Sequence, residues 1–437
     1  MKIDIVSREV IKPSIPTPHH LRDFKLSFLD QLIPPVYVPI ILFYSHNETT
    51  NLKQPAEISY LLKKSLSHTL TRFYPLAGRM RGDNLVDCND QGVDYLEAHV
   101  DGQLSDIMKK PEVEVLNQFI PFKNNSAKLS MEQQLAIQVN FFACGGIAIG
   151  ICISHRIADG LTLSTFIKGW AATARGGETN LVSPSFDSAS LFPPRDLSRP
   201  RPAAPTPKER LVTRRFVFEA SAIAALKAQV SFGSCLLKPT RVEVVSALIW
   251  KCAMPQIAAH SVNLRGRISP PLPEHSFGNL FQMSITAAYG QPELASLVDQ
   301  LRLAIKKIDN DYVRQLQTGD GHAVVMKSDD HFKNLGEAFS RGEVQFLRFS
   351  SWCRFPIYKA DFGWGKPIWV SSAGMIFKNV IFLLDPKEGD GIEAWTVYIQ
   401  RQGYDDSMKA AFAAAADGGV VAAARVVVAS SSWLLPP

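Results

Sequence analysis

The sequence has no C-x-x-C pair, and its six cysteines (Cys88, Cys144, Cys152, Cys235, Cys252 and Cys353) are scattered, several of them inside apolar runs. That spacing argues against a zinc ribbon, a redox motif or a disulfide framework. It reads as buried free thiols in a reducing compartment, with no metal site expected. No apolar run reaches membrane-spanning length; the longest, around 141–153, is short and interrupted by glycine. The N-terminal stretch MKIDIVSREVIKPSIPTPHH lacks the apolar core of a secretory signal. The net charge of +6 is spread along the chain without a Lys/Arg block of the kind that tracks a nucleic-acid backbone. A G-x-S-x-G nucleophile elbow is also missing, so hydrolase chemistry of that type is not expected. These absences leave a cytoplasmic protein with neither nucleic acid nor membrane as partner.

What is present is a globular balance. Over 437 residues, 46% are hydrophobic and 20% charged, enough for two domains. ISYLLKKSLSHTLTRF carries Leu61, Leu62, Leu66, Leu70 and Phe73 at helical spacing. LAIQVNFF alternates Ile137, Val139 and Phe141 with Gln138 and Asn140, the pattern of a half-buried strand. IAIGICIS, 147–154, is continuously apolar, as a buried strand is, and the segment from Gly160 turns helical. Seven prolines then fall between 183 and 212, which excludes helix and central strand and reads as an extended surface linker. The expected organisation is a first α/β domain over 1–182, a crossover linker over 183–212 and a second α/β domain over 213–408. An Ala/Val-rich tail, 409–437, follows, on which no structure is placed.

Two short segments carry candidate chemistry. In ICISHRIADG, 151–160, His155 stands where a buried strand gives way to a helix. Strand ends in α/β proteins open into ligand crevices, and imidazole titrates near neutrality, so it can take a proton from a hydroxyl. Asp159 lies just before the helix. Both residues also have ordinary readings, a structural histidine and an N-cap aspartate, and H-x-x-x-D alone is a weak signal. In ADFGWGKP, 360–367, Gly363 and Gly365 flank Trp364 in what reads by itself as a tight turn, with Asp361 able to bond the turn amides.

Together, H-x-x-x-D-G at 155–160 and D-F-G-W-G at 361–365 resemble the motif pair of the plant acyl-CoA-dependent acyltransferases of the BAHD family. LSFLDQ (26–31), FYPLAGR (73–79), RVEVVSALIWK (241–251), VNLR (262–265) and PPLPEHSFGNL (270–280) are similar to it too. The resemblance runs over about residues 1–398 and is nearest in wording to the alkaloid-modifying O-acetyltransferases. It implies an α/β fold of two chloramphenicol-acetyltransferase-like domains joined by a long crossover loop. It implies that His155 is the general base, in a solvent channel between the domains, and that Asp159 is held away from the reacting centre by Arg265. Asp361, Gly363, Trp364 and Gly365 would be structural, distant from the bond-making atoms and shaping the CoA-binding half. After GIEAW the chain departs from the family pattern.

An acyl-CoA, acetyl-CoA in the favoured reading, would be the co-substrate, with no permanently bound cofactor and a small-molecule alcohol as acceptor; a monomer is expected. For the CoA phosphates, Thr240 and Arg241 at a helix start offer amides, a hydroxyl and a guanidinium, although a solvated helix start accounts for them equally. His155 would take the hydroxyl proton while the oxygen attacks the thioester in a ternary complex. The alternatives are transfer of a larger acyl group, benzoyl or hydroxycinnamoyl, and a non-catalytic relative that binds CoA esters.

Overall fold

The apolar run at 147–154 forms a strand flanked on both sides in a six-stranded sheet. The sheet order is Lys2–Ile11, Val93–Asp101, Leu135–Phe142, Ile147–Ser154, Tyr37–Tyr44 and Trp369–Ser371. Only the pairing of Val93–Asp101 with Leu135–Phe142 is parallel. The computed structural model describes residues 1–45, 54–122, 133–176, 182–196, 211–233, 238–253, 255–290, 292–318, 346–375, 377–399 and 424–427. All eight residues of Ile147–Ser154 are buried. Gly150 is required there because a Cβ would overlap the Phe119 carbonyl oxygen.

The neighbouring strand Leu135–Phe142 is buried almost throughout, not half-buried as its alternation suggests. The reason is that its polar residues serve buried backbone. Gln138 donates to the Gln118 carbonyl (2.8 Å) and to Asn140 Oδ1 (2.7 Å), and Asn140 donates to the carbonyls of Phe119 and Ala148, both at 3.0 Å. The helices Pro55–Arg72 and Gly160–Ala174 pack together, with Trp170 Nε1 donating to the Leu62 carbonyl and to Ser65 Oγ.

A second sheet has seven strands in the order Phe281–Ala287, Ile257–Asn263, Phe346–Ser351, Val380–Leu384, Ile392–Ile399, Leu211–Phe218 and Ala424–Val427. Its core joins Phe349, Ile381 and Ala394 to Leu226 of the helix Ala220–Gly233, Ile249 of Arg241–Ala253 and Leu301 of Leu294–Lys306.

The chain divides into two compact units, but not at the expected boundaries. The first contains Met1–Thr206, Pro273–Leu280 and Phe355–Ile376; the second contains Pro207–Leu272, Phe281–Arg354 and Phe377–Pro437. The expected domain at 213–408 is therefore interrupted twice, and the Asp361–Gly365 turn belongs to the first unit. Backbone pairing is the cause: Trp369–Ser371 adds to Tyr37–Tyr44, extended by an Ile368 N–H donating to the Phe43 carbonyl at 2.7 Å.

The Pro-rich segment is not a uniformly extended surface run. Ser188–Leu191 makes one helical turn, and Phe192 is fully buried with its carbonyl accepting from Phe28 N at 2.9 Å. Residues 197–210 of the expected linker lie outside the described residues. In the tail, Ala424–Val427 pairs antiparallel with Leu211–Phe218, a strand where none was expected; the remainder of 409–437 lies outside the described residues. An extended four-residue segment, half of it valine, suits pairing with a strand edge that would otherwise stand open.

Candidate active site

Where the strand Ile147–Ser154 ends, the chain makes a tight turn before the helix Gly160–Ala174. Ser154 N donates to the Gln134 carbonyl and His155 N to the Val36 carbonyl, both at 2.8 Å, so the sheet fixes the histidine backbone. The side chain folds back over its own turn, with Nδ1 3.0 Å from the Ala158 carbonyl oxygen. A carbonyl can only accept, so Nδ1 carries the proton of the neutral ring and Nε2 carries the lone pair. Burial lowers the His155 pKa below 6.5, while the Ala158 bond and the Asp159 charge work in the opposite direction. The net result is an imidazole that is neutral near pH 7 and basic at one defined nitrogen.

Asp159 is the N-cap of the following helix. Its Oδ1 accepts from Thr162 N at 2.8 Å and its Oδ2 from Leu280 N at 3.1 Å. Because the Nδ1–H of neutral His155 points to the Ala158 carbonyl, the four-residue spacing does not produce a His–Asp dyad through that nitrogen. Asp159 instead ties this turn to the segment 276–280. Thr162 Oγ1 adds to this by exchanging bonds with Gly278 O (3.1 Å) and Gly278 N (3.3 Å). Gly278 sits at φ +125°, a conformation that side-chain-bearing residues rarely adopt. The sequence signal for this tie was the stretch SFGNL, whose glycine and asparagine had been given no role.

The Asp361 turn has the expected local form. Oδ1 accepts from Gly363 N at 2.8 Å and Gly365 N at 2.9 Å, with the glycines at φ +112° and +105°. Phe362 stacks on Trp364 and meets the edge of Trp170, and Arg175 lies 3.9 Å from the Asp361 carboxylate. Trp170 and Arg175 stand at the C-terminal end of the helix that Asp159 starts. At 1.5 Å per residue its 15 residues put this turn roughly 20 Å from the His155 end. Asp361, Gly363, Trp364 and Gly365 therefore anchor the far end of that helix.

Thr240 and Arg241 are engaged within the second unit. Thr240 and Glu243 cap one another, with Thr240 N donating to Glu243 Oε2 (2.7 Å) and Glu243 N to Thr240 Oγ1 (3.2 Å). Arg241 donates to the Gly391 carbonyl and pairs with Asp385 at 3.0 Å. Both side chains have internal structural work that the sequence did not reveal. Arg265, also in the second unit, is 2% exposed, and its Nη1 donates to Asn263 Oδ1 at 3.2 Å. Among the described residues no three His, Cys, Asp or Glu side chains cluster as metal ligands would.

The sequence and fold have counterparts among known proteins. The sequence profile of the Transferase family matches residues 1–402. Stemmadenine O-acetyltransferase of Catharanthus roseus is 41% identical over 411 residues, covering 90% of this chain and 93% of that protein. A limonoid 21-O-acetyltransferase of Melia azedarach is 40% identical over 414 residues, covering 90% and 93%. The crystal structure of vinorine synthase superposes with a TM-score of 0.79 at 38% identity, covering 93% of this chain and 96% of its own.

Proposed function

The chain belongs to the BAHD family of acyl-CoA-dependent acyltransferases, with its fold of two chloramphenicol-acetyltransferase-like domains. We propose that it transfers acetyl from acetyl-CoA to a hydroxyl of a bulky, largely apolar specialised metabolite, using His155 as general base. The observation that carries the base assignment is the Nδ1 bond to the Ala158 carbonyl, which leaves Nε2 as the basic atom of a ring that burial keeps neutral. Nε2 takes the proton of the acceptor hydroxyl as its oxygen adds to the thioester carbonyl. The tetrahedral oxyanion collapses, the C–S bond breaks, and the imidazolium returns the proton to the departing CoA thiolate. No bond to the protein forms, so both substrates must be present at once.

The acetyl donor and the class of acceptor are supported by the relatives, which are named as O-acetyltransferases of stemmadenine and of limonoids. Asp159 acts as the architectural residue of the catalytic turn, with Arg265 as its charge partner; the burial of Arg265 and the family resemblance support that pairing. Thr240 and Arg241 keep a place as CoA contacts only through the helix start, since both side chains are committed elsewhere. A cytoplasmic monomer completes the proposal; no described helix is long and apolar enough to cross a membrane.

The test is CoA release by the purified protein with acetyl-, benzoyl- and hydroxycinnamoyl-CoA, each with and without a panel of polycyclic alcohols. Alcohol-dependent release fastest with acetyl-CoA is expected. Faster release with an aromatic acyl donor would overturn the donor assignment, and binding of CoA esters without turnover on any alcohol would favour a non-catalytic relative.

A further inference from the structure

The backbone of His155 is also held by an asparagine that comes from far along the chain. Asn279 Nδ2 donates to the His155 carbonyl at 2.7 Å. The same nitrogen donates to Asp30 Oδ1 at 2.9 Å, and the Asn279 backbone N–H donates to that oxygen at 2.8 Å. Asp30 is anchored in turn. Its Oδ2 accepts from Ser27 N at 2.9 Å and Ser27 Oγ at 2.6 Å, and Ser27 Oγ accepts from Asp30 N, a reciprocal cap on the helical turn Phe28–Gln31. Asp30 is 1% exposed, and Ser27 and Asn279 are fully buried. The bonds from Ser27 to Asp30 and from Asp30 to Asn279 are all buried, which restricts the arrangements open to each link.

We infer that Asn279 and Asp30 are positioning residues for the general base, acting through the His155 backbone. The inference rests on His155 being the base. The His155 peptide is gripped at its N–H by Val36, at its carbonyl by Asn279 and at its ring by Ala158. Of these three bonds, only the one from Asn279 is made by a side chain of another residue. It also sits next to Leu280, whose N–H binds Asp159, so one short segment sets both ends of the catalytic turn. Neither Asn279 nor Asp30 has a part in bond-making. Their effect is to hold Nε2 where an acceptor hydroxyl meets it, and losing such alignment costs turnover without weakening substrate binding.

The experiment is a double-mutant cycle in turnover, using Asn279→Ala, His155→Ala and the pair, with both KM values and the melting temperature of each protein. Asn279→Ala is expected to lower kcat roughly ten- to a hundred-fold. Both KM values should stay unchanged, and adding Asn279→Ala to His155→Ala should cause no further fall. A merely structural role lowers turnover in both backgrounds, and that outcome overturns the proposal. Wild-type kcat in folded Asn279→Ala, beside an inactive His155→Ala, overturns the positioning role and leaves the base assignment standing. Wild-type turnover in His155→Ala overturns both. Should Asn279→Ala not fold, Asp30→Asn carries the same cycle. It keeps the shape of the side chain but puts an NH2 group among donors, and the same kcat loss confined to the His155 background is expected.

Discussion

Replacing Asp159 by alanine separates two readings of the H-x-x-x-D spacing. In the structure its carboxylate accepts from Thr162 N and Leu280 N, and the residue is 7% exposed. Loss of the helix cap costs about 0.5–2 kcal/mol. The Leu280 N–H, left without an acceptor in a buried place, costs about 1–3 kcal/mol more. The sum is roughly 2–5 kcal/mol, before any contribution from a charge partner. For a unit of this size each kcal/mol lowers the melting temperature by about 2–4 °C. Asp159→Ala should therefore melt roughly 7–14 °C below wild type at the middle of that range, and its turnover should fall with it but less than in His155→Ala. Differential scanning calorimetry and initial rates with saturating acetyl-CoA measure the two effects. An unchanged melting temperature combined with turnover as low as that of His155→Ala would refute the architectural role and restore a catalytic dyad.

Four further outcomes are expected. His155→Ala should fold with an unaltered circular dichroism spectrum and lose roughly a hundred- to ten-thousand-fold in turnover. Because burial lowers the His155 pKa, the folded protein prefers the neutral ring. Its contribution to stability is then complete above pH 6.5 and is lost as pH falls from there through the folded value, and the acid limb of kcat/KM should lie below 6.5; a limb at or above 6.5 contradicts the electrostatic reading. Gly150→Ala, whose Cβ would overlap the Phe119 carbonyl, should destabilise by roughly 1–3 kcal/mol or more, seen as a lower urea midpoint. If Arg265 is the partner of Asp159, the melting-temperature losses of Asp159→Ala and Arg265→Ala should sum to more than that of the double mutant; strict additivity would remove the pairing.

The legible parts of the site were local. A continuous apolar run, a histidine at its end and an aspartate before a helical pattern place His155 and Asp159 as the structure has them, because strand period and helix capping act over a few residues. What the sequence could not show was separation. Asn279 reaches the His155 carbonyl across 124 positions, and Arg241 reaches Asp385 across 144. The helix start at Arg241 was readable; the destination of its guanidinium was not. The strand Trp369–Ser371 is three residues long, too short for alternation to register, yet it carries the Asp361 turn into the first unit. Proline density misled at Phe192 for a related reason. It constrains the backbone but says nothing about burial, and one aromatic within the segment was enough to fix it into the core.

In the proposed mechanism, the choice of partner for the His155 ring bears on the whole catalytic cycle. A carboxylate at Nδ1 would stabilise the imidazolium and raise its pKa, whereas a main-chain carbonyl orients the ring with a smaller upward effect that burial outweighs. The resulting base is weaker, but burial favours the form that can accept a proton near pH 7. The same bias helps the second half of the reaction. An imidazolium with a pKa below 6.5 faces a thiolate whose conjugate acid has a pKa of about 8.5. Returning the proton to sulfur is then favourable, because burial makes the imidazolium the stronger acid of the two. Reprotonation of the leaving group thus resets the base and discourages the thiolate from attacking the new ester. In the proposed mechanism a single neutral histidine, oriented at Nδ1 by the Ala158 carbonyl, therefore serves both proton transfers.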